Sequence, residues 1–292
     1  MHYIYNMSNQ ILCFGEVLWD TFEDGKKVGG APLNVARHLI QQGFNAAMVS
    51  RVGTDELGDE LMQNLTDANL NLHLIQHDKR LPTCEVTVQL DASGQATYTI
   101  PKPVSWDNIQ PTEELLQQAE QASAIVFGSL ACREQATRTT LLNLLSELTL
   151  PLRVFDVNLR APHYDLDTIE TLAAMATVIK MNEEEAELLI GHSTASLQNQ
   201  IIEFQKKFHN QTICVTRGEN GAIIWHNEEF YEHPGFPVNV VDTVGAGDSF
   251  LATLIAGLLA KKDIPQILEK SCKVGAYVAS QRGANPAYPD SW

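Results

Sequence analysis

Hydrophobic positions along this chain follow two alternating patterns. Ile11 to Phe14 is a short continuous apolar run closed by Gly15, and runs of the same kind recur at Ala46–Val52, Ala124–Phe127, Leu152–Asp156, Val178–Met181 and Thr212–Thr216. Apolar runs of this length without polar alternation predict strands covered on both faces, as in a parallel sheet. Between them the period changes. Pro32 to Gln42 carries Leu33, Ala36, Leu39 and Ile40 at helical spacing and stops at Gly43, a common helix-ending residue. Asp55–Ala68, Gly247–Ala260 and Ile264–Gln281 predict further helices. Strands alternating with helices define the α/β class with a doubly wound sheet.

Some segments depart from this rhythm. Thr83 to Leu90 alternates, with Val86, Val88 and Leu90 against Glu85, Thr87 and Gln89, the sign of a strand with two different faces. Asp91-Ala92-Ser93-Gly94 predicts a turn and Ala96–Ile100 a returning strand. Leu18–Phe22, followed by a hairpin turn at Glu23-Asp24-Gly25-Lys26, reads the same way. These segments, about 16–30 and 83–101, predict a small separate β-sheet acting as a lid on a single domain spanning 1–292. The apolar face of Val86 and Val88 offers a surface through which two copies could pair as a homodimer. A late hairpin is expected at Ile223–Trp225 and Phe230–Glu232.

Composition narrows the function. Apolar residues make up 44 % of the chain, enough for a sizeable core. A formal net charge of −16 disfavours nucleic acid and anionic membrane surfaces, both of which call for a basic face. It also means that phosphate could be handled only with positive potential supplied locally. The cysteines, Cys13, Cys84, Cys132, Cys214 and Cys272, are scattered without a CxxC pair and read as buried thiols in a reducing compartment. The histidines show no metal-ligand spacing. No apolar run is long enough to span a membrane, and Met1 to Gln10 lacks the pattern of a signal peptide, so the cytoplasm is the expected location.

The candidate chemistry lies at Gly245-Ala246-Gly247-Asp248, directly before an apolar helix carrying Phe250, Leu251, Leu254, Ile255, Leu258 and Leu259 on its expected buried side. Two glycines around an alanine let successive backbone N–H groups turn toward one point, forming an anion-binding nest. The helix N-terminus adds partial positive charge there. A phosphoryl group in transfer needs such donors. Asp248 would then stand beside the nest, kept ionised by the helix terminus and able to accept a proton from an attacking hydroxyl. On pattern alone, an ordinary helix-start Asp explains this residue equally well.

The longer segment Asp242-Thr243-Val244-Gly245-Ala246-Gly247-Asp248 resembles the DTxGAGD signature of the PfkB, or ribokinase-like, carbohydrate kinases. That resemblance implies a ribokinase-like α/β/α fold, Asp248 as catalytic base, and Gly245, Ala246 and Gly247 as the anion hole. Other segments resemble family elements in the same order. Gly29-Gly30-Ala31-Pro32-Leu33-Asn34-Val35-Ala36 resembles GGxxxNxA, implying sugar contacts from Gly30 and Asn34, and Gly15-Glu16-Val17-Leu18-Trp19-Asp20 puts Asp20 where sugar hydroxyls are held. Asp156-Val157-Asn158-Leu159-Arg160 resembles a DxNxR element in which Arg160 meets phosphates or substrate. Asn182-Glu183-Glu184-Glu185 matches NxxE, implying that Asn182 contacts the nucleotide and Glu185 reaches Mg²⁺ through water. Thr216-Arg217-Gly218 resembles the TxG nucleotide loop, giving Thr216 and Gly218. Gly283-Ala284-Asn285-Pro286 resembles a segment lining adenine and a monovalent-cation loop, to which Asp242 would belong, with K⁺ the candidate ion.

The expected reaction is therefore ATP-dependent, Mg²⁺-assisted phosphorylation of a primary hydroxyl on a small carbohydrate. Gly-Glu near the start, Gly-Gly-Ala-Pro, Ser105-Trp106-Asp107-Asn108-Ile109 and the DxNxR element resemble fructokinases, which favours fructose. Ribose, 2-keto-3-deoxygluconate and nucleosides are the alternatives within the family. A sugar- or nucleotide-binding regulator without catalysis is the alternative outside it. No GxxxxGK[ST] segment occurs, which excludes a P-loop kinase, and no GxGxxG follows the first strand, which argues against a dinucleotide-dependent oxidoreductase.

Overall fold

The computed structural model describes residues 10–23, 25–68, 70–90, 96–148, 150–190 and 196–289. In chain order the first elements are β1 (Gln10–Phe14), β2 (Leu18–Phe22), β3 (Gly25–Gly29), α1 (Ala31–Gln41), β4 (Asn45–Gly53), α2 (Glu56–Asp67), β5 (Ile75–Asp78), β6 (Glu85–Leu90) and β7 (Ala96–Thr99). There follow α3 (Glu113–Gln121), β8 (Ala124–Gly128), α4 (Gln135–Glu147), β9 (Leu152–Asp156), α5 (Leu166–Met175), β10 (Val178–Asn182) and α6 (Glu183–Ile190). The chain continues through α7 (Leu197–Phe208), β11 (Thr212–Thr216), β12 (Ala222–His226), β13 (Glu229–His233), α8 (Ala246–Leu259) and α9 (Ile264–Ala279).

The main sheet has nine strands in the order β13-β12-β11-β10-β9-β8-β1-β4-β5. From β11 to β5 every pair is parallel, while β12 and β13 add an antiparallel hairpin at one edge. Alternation along β1 explains why helices cover both faces. Ile11 and Cys13 join one core cluster with α1, α2, α8 and α9, whereas Leu12 and Phe14 join a second with α3 to α7. All four residues are fully buried. From β1 the chain winds outward through β4 and β5, then returns to β8 and winds the other way. The strand order therefore reverses at β1 and β8, where open α/β sheets form a crevice at the carboxyl ends of their strands. Glu16, Asp156, Asn182 and Thr216 lie at or just beyond the carboxyl ends of β1, β9, β10 and β11.

The second sheet has the order β3-β2-β6-β7. Two antiparallel hairpins meet through the parallel β2–β6 pair. One of its faces closes over Trp106, Val104, Leu130 and Ala131 in a third core cluster. This overturns the sequence-based argument for pairing between subunits. Val86 and Val88 are only 2 % and 4 % exposed within the single chain, so the strand turns its apolar face inward and Glu85 and Thr87 outward. Gly25 and Lys26, expected in the turn, already pair within β3 with Phe22 and Thr21. Asp24, the Asp91–Gly94 turn and residues 1–9 lie outside the described residues.

Ser105 to Ile109 also serves the framework. Trp106 is fully buried, Arg133 packs over its ring at 4.1 Å, and Arg133 Nε and Nη2 each donate to Asp107 at 2.8 Å. Helix α8 is enclosed over nearly its whole circumference from Ser249 to Ala256, whereas Leu258 and Leu259, expected to be buried, are half-buried. All five cysteines are buried and unpaired. Among the described residues no helix is long and apolar enough to cross a membrane.

Candidate active site

The segment with the strongest chemical signal forms the entrance to α8. Gly245 precedes the helix with φ 80°, a left-handed conformation open to glycine at little cost. A Cβ there would stand 2.4 Å from the Ala284 carbonyl oxygen, so the C-terminal segment leaves no room for a side chain. Ala246 N–H closes the turn by donating to Thr243 O at 3.2 Å. No side chain caps the helix. Asp248 lies in its first turn and accepts a 2.8 Å hydrogen bond from Asn34 Nδ2. The Asp248 carboxyl is pushed up to about 6, first by burial and then by the neighbouring Asp156, against the lowering effects of Lys180, Asn34 and Arg160. The expectation that the helix terminus would govern this group is thus corrected. Enclosure outweighs it, although at neutral pH the carboxyl is still largely ionised.

Asn34 and Arg160 face Asp248, and Arg160 also faces Asp20 and Glu16. Gly30 has φ 121°, and a Cβ there would lie 2.4 Å from Glu16 O. This tight passage lets the chain enter α1, whose Pro32 suits the start of a helix. Asn34 is 5 % exposed. Asp20 is pushed up to about 6 by burial, opposed by Arg160 and Lys27. Glu16 is pushed up to about 7, again mainly by burial, while it accepts from Ala31 N at 3.3 Å. Arg160 is exposed and donates to Leu159 O at 3.2 Å. Its charge lowers the pKa of Asp20, Glu16 and Asp248 alike, so it is the cation common to three enclosed carboxyls. Lys26 is engaged with Glu60 and stacks on Trp19, while Lys27 stacks on Phe22.

On the other side of the turn runs a groove of about 610 Å³. Thr216, Gly218 and Gly247 line it, with an apolar wall that includes Phe236, Cys272 and Ala276. Asn182 is not among the lining residues, although it pairs in register with Thr216 on the adjacent strand. Its side chain is used locally. Asn182 Oδ1 accepts from Glu185 N at 2.8 Å, and Glu185 Oε2 accepts from Asn182 N at 2.9 Å. This is a reciprocal capping box at the start of α6. Glu185 Oε1 accepts from Leu159 N at 2.9 Å, so both oxygens of this buried carboxylate are engaged by backbone. Asp242 behaves similarly, accepting from Val244 N at 3.0 Å and Gly283 N at 3.1 Å. In the segment Gly283 to Pro286, Ala284 and Asn285 contact α1, Ala284 also packs against Gly245, and Gly283 donates to Asp242.

Lys180 was not singled out from the sequence. It is 7 % exposed on β10, pairs with Asp156 at 2.9 Å, and its Nζ lies 3.2 Å from where a Gly247 Cβ would be. Burial pulls its pKa down, but Asp156, Glu185 and Asp248 more than offset that, and the net shift is upward. Lys180 is therefore a fixed cation behind the Gly247 turn, part of the local positive charge that an acidic chain needs. A lysine inside the otherwise apolar run Val178-Ile179-Lys180-Met181 was the available signal, because an ammonium is seldom fully buried unless paired.

Known proteins match this chain over most of its length. The profile of the pfkB family carbohydrate kinases matches residues 2–291. A fructokinase of Klebsiella pneumoniae is 28 % identical, the match covering 97 % of this chain and 97 % of that protein. A fructokinase of Salmonella typhimurium is 30 % identical over 89 % of this chain and 88 % of its own length. Among solved structures, a sugar kinase from Pyrococcus horikoshii in complex with ATP superposes with a TM-score of 0.80 at 28 % identity, covering 94 % of each chain.

Proposed function

The chain belongs to the pfkB family of carbohydrate kinases and is accordingly a phosphotransferase acting on a sugar hydroxyl; from that premise we propose that it transfers the γ-phosphoryl group of ATP to a primary hydroxyl of fructose. One observation carries the reading. Gly247 lines the 610 Å³ groove, and the next residue, Asp248, is held by Asn34 and faces Arg160 and Asp156. The fructokinase relatives and the ATP complex of the P. horikoshii kinase support the choice of substrates.

Asp20 accepts from sugar hydroxyls, Asn34 and the Gly30 backbone fix the ring, and Arg160 balances the negative charge around it. The primary hydroxyl gives its proton to Asp248 as its oxygen forms a bond to the γ-phosphorus. The bond to the β–γ bridging oxygen breaks, and ADP leaves along the groove past Thr216 and Gly218. With the Ala246 N–H already donating to Thr243 O, the backbone N–H groups of Gly245 and Gly247 and the start of α8 stabilise charge on the moving phosphoryl oxygens. The β3-β2-β6-β7 sheet acts as a lid that excludes water, suppressing ATP hydrolysis.

Magnesium accompanying the nucleotide would neutralise phosphate charge. Among the described residues no group of three or more His, Cys, Asp or Glu could hold a metal ion, and both Glu185 oxygens already accept backbone N–H groups. With its oxygens so engaged, Glu185 would reach the ion through water. Asp242, which ties its loop to Gly283, is the place proposed for K⁺.

A coupled ADP-release assay across fructose, ribose, 2-keto-3-deoxygluconate and nucleosides tests the substrate. Fructose is expected to give the highest kcat/KM, by about tenfold or more, because a site built for one set of hydroxyls penalises another. A higher value for any other member of the panel replaces fructose.

A further inference from the structure

The last described residues, Arg282 to Pro289, return to α1 and dock there through several bonds. His38, fully buried on α1, hydrogen-bonds through Nε2 to Ala284 O at 2.9 Å and through Nδ1 to the Tyr288 hydroxyl at 2.6 Å. Its ring stacks on Tyr288. One turn earlier on the same helix, Asn34 Oδ1 accepts a 2.7 Å bond from Asn285 Nδ2. Asn34 Nδ2 in turn donates to Asp248 Oδ2 at 2.8 Å. The three side chains form a directed series from the C-terminal segment to the proposed base.

The direction follows from donor and acceptor chemistry. An ionised carboxylate can only accept, so Asn34 must present Nδ2 to Asp248. Its Oδ1 is then turned toward Asn285, which must donate. Reversing the Asn34 amide would set an oxygen against the carboxylate. By donating, Asn285 reinforces the orientation that the carboxylate requires. Its own Oδ1 is buried without a partner, a local cost of the kind that functional sites retain.

We propose that Asn285 is a positioning residue for phosphoryl transfer: by donating to Asn34 Oδ1 it fixes the Asn34 amide so that Nδ2 faces Asp248 and holds that carboxylate in its proton-accepting form. The proposal rests on the reading of Asp248 as the base. Hydrogen bonding to the charged form of an acid favours that form, so loss of this order makes Asp248 easier to protonate. The other charged groups facing Asp248 are Asp156 on β9, Lys180 on β10, Arg160 after β9 and Glu16 after β1. None belongs to the Asn285–Asn34 pair, so changing Asn285 leaves them in place.

The test is the dependence of kcat on pH, measured with saturating fructose and ATP. Asn285→Asp keeps the shape but can only accept at neutral pH. Its acid limb is expected to move upward, lowering kcat by about threefold to tenfold at pH 6.5 and by less than about twofold at pH 8.5. Asn285→Ala, which adds no charge, is expected to move it in the same direction by less. Tyr288→Phe loosens the C-terminal segment without touching the amide pair and is expected to leave the limb where it was. Superimposable profiles for both Asn285 variants and the unaltered chain overturn the proposal, as does an equal shift in Tyr288→Phe. If Asp248→Asn retains near-normal turnover, the base reading falls and this proposal with it. If Asp248→Asn is inert and the Asn285 profiles do not move, this proposal alone falls.

Discussion

Two helix starts flank the carboxyl end of the main sheet, and both carry an acidic residue that the sequence marks for chemistry. They use their backbone in opposite ways. At α6, Asn182 and Glu185 cap each other, and the remaining Glu185 oxygen accepts from Leu159 N. At α8, Gly245 provides no side-chain cap, and Asp248 accepts one bond from Asn34 while its pKa is pushed up to about 6. The first arrangement spends its polar groups on holding the fold. The second leaves its helix start without a side-chain cap and its carboxyl partly protonatable. An acid in a helix's first turn therefore says little by itself, and what its oxygens already touch decides its use.

The contrast can be broken experimentally. The larger effect is expected at α8. Gly245→Ala places a Cβ 2.4 Å from Ala284 O in a left-handed backbone conformation, which costs about 1–3 kcal/mol. Turnover should fall by about tenfold or more as the turn shifts, since small misplacements at a reacting centre are expensive; normal turnover would show that the turn's shape is irrelevant to transfer. The smaller effect is expected at α6. Asn182→Ala removes one half of the capping box and should lower stability by about 0.5–2 kcal/mol, read as a lower melting temperature. Its loss of turnover should be far shallower than at α8. An equally deep loss would mean that the two helix starts do the same work.

Much of this was legible in the sequence because each signal was local. The strands of the main sheet show as near-continuous apolar runs, and β9 and β11 have the bounds expected from the pattern, as does β2 in the small sheet. The edge strand β5, Ile75–Asp78, was not anticipated, since a four-residue segment with one buried apolar side chain has no distinctive period. Asp20, Asn34, Arg160 and Asp248 could be proposed together through motif order. Their mutual electrostatics could not, because enclosure depends on which segments fold over them. Lys180 drew no notice because its ion pair with Asp156 spans two strands. The partner of Asn285 lies 251 positions away, and the inward turn of Val86 and Val88 is set by Trp106 and its neighbours rather than by alternation alone.

On the proposed mechanism Asp248 takes the proton of the attacking hydroxyl, a role that Asp248→Asn removes. An unfolded Asp titrates near about 3.9, whereas Asp248 in the folded chain is pushed up to about 6. Between those values the folded chain binds the additional proton, so acidification through that window stabilises it and the enclosed, ionised carboxylate costs stability at neutral pH. Asp248→Asn should thus melt a few degrees higher at pH 7.5, with the gain vanishing near pH 4, while calorimetry still detects fructose and ATP binding. Sugar-dependent ADP release by the same variant should fall by about two or more orders of magnitude; near-normal release would contradict the account.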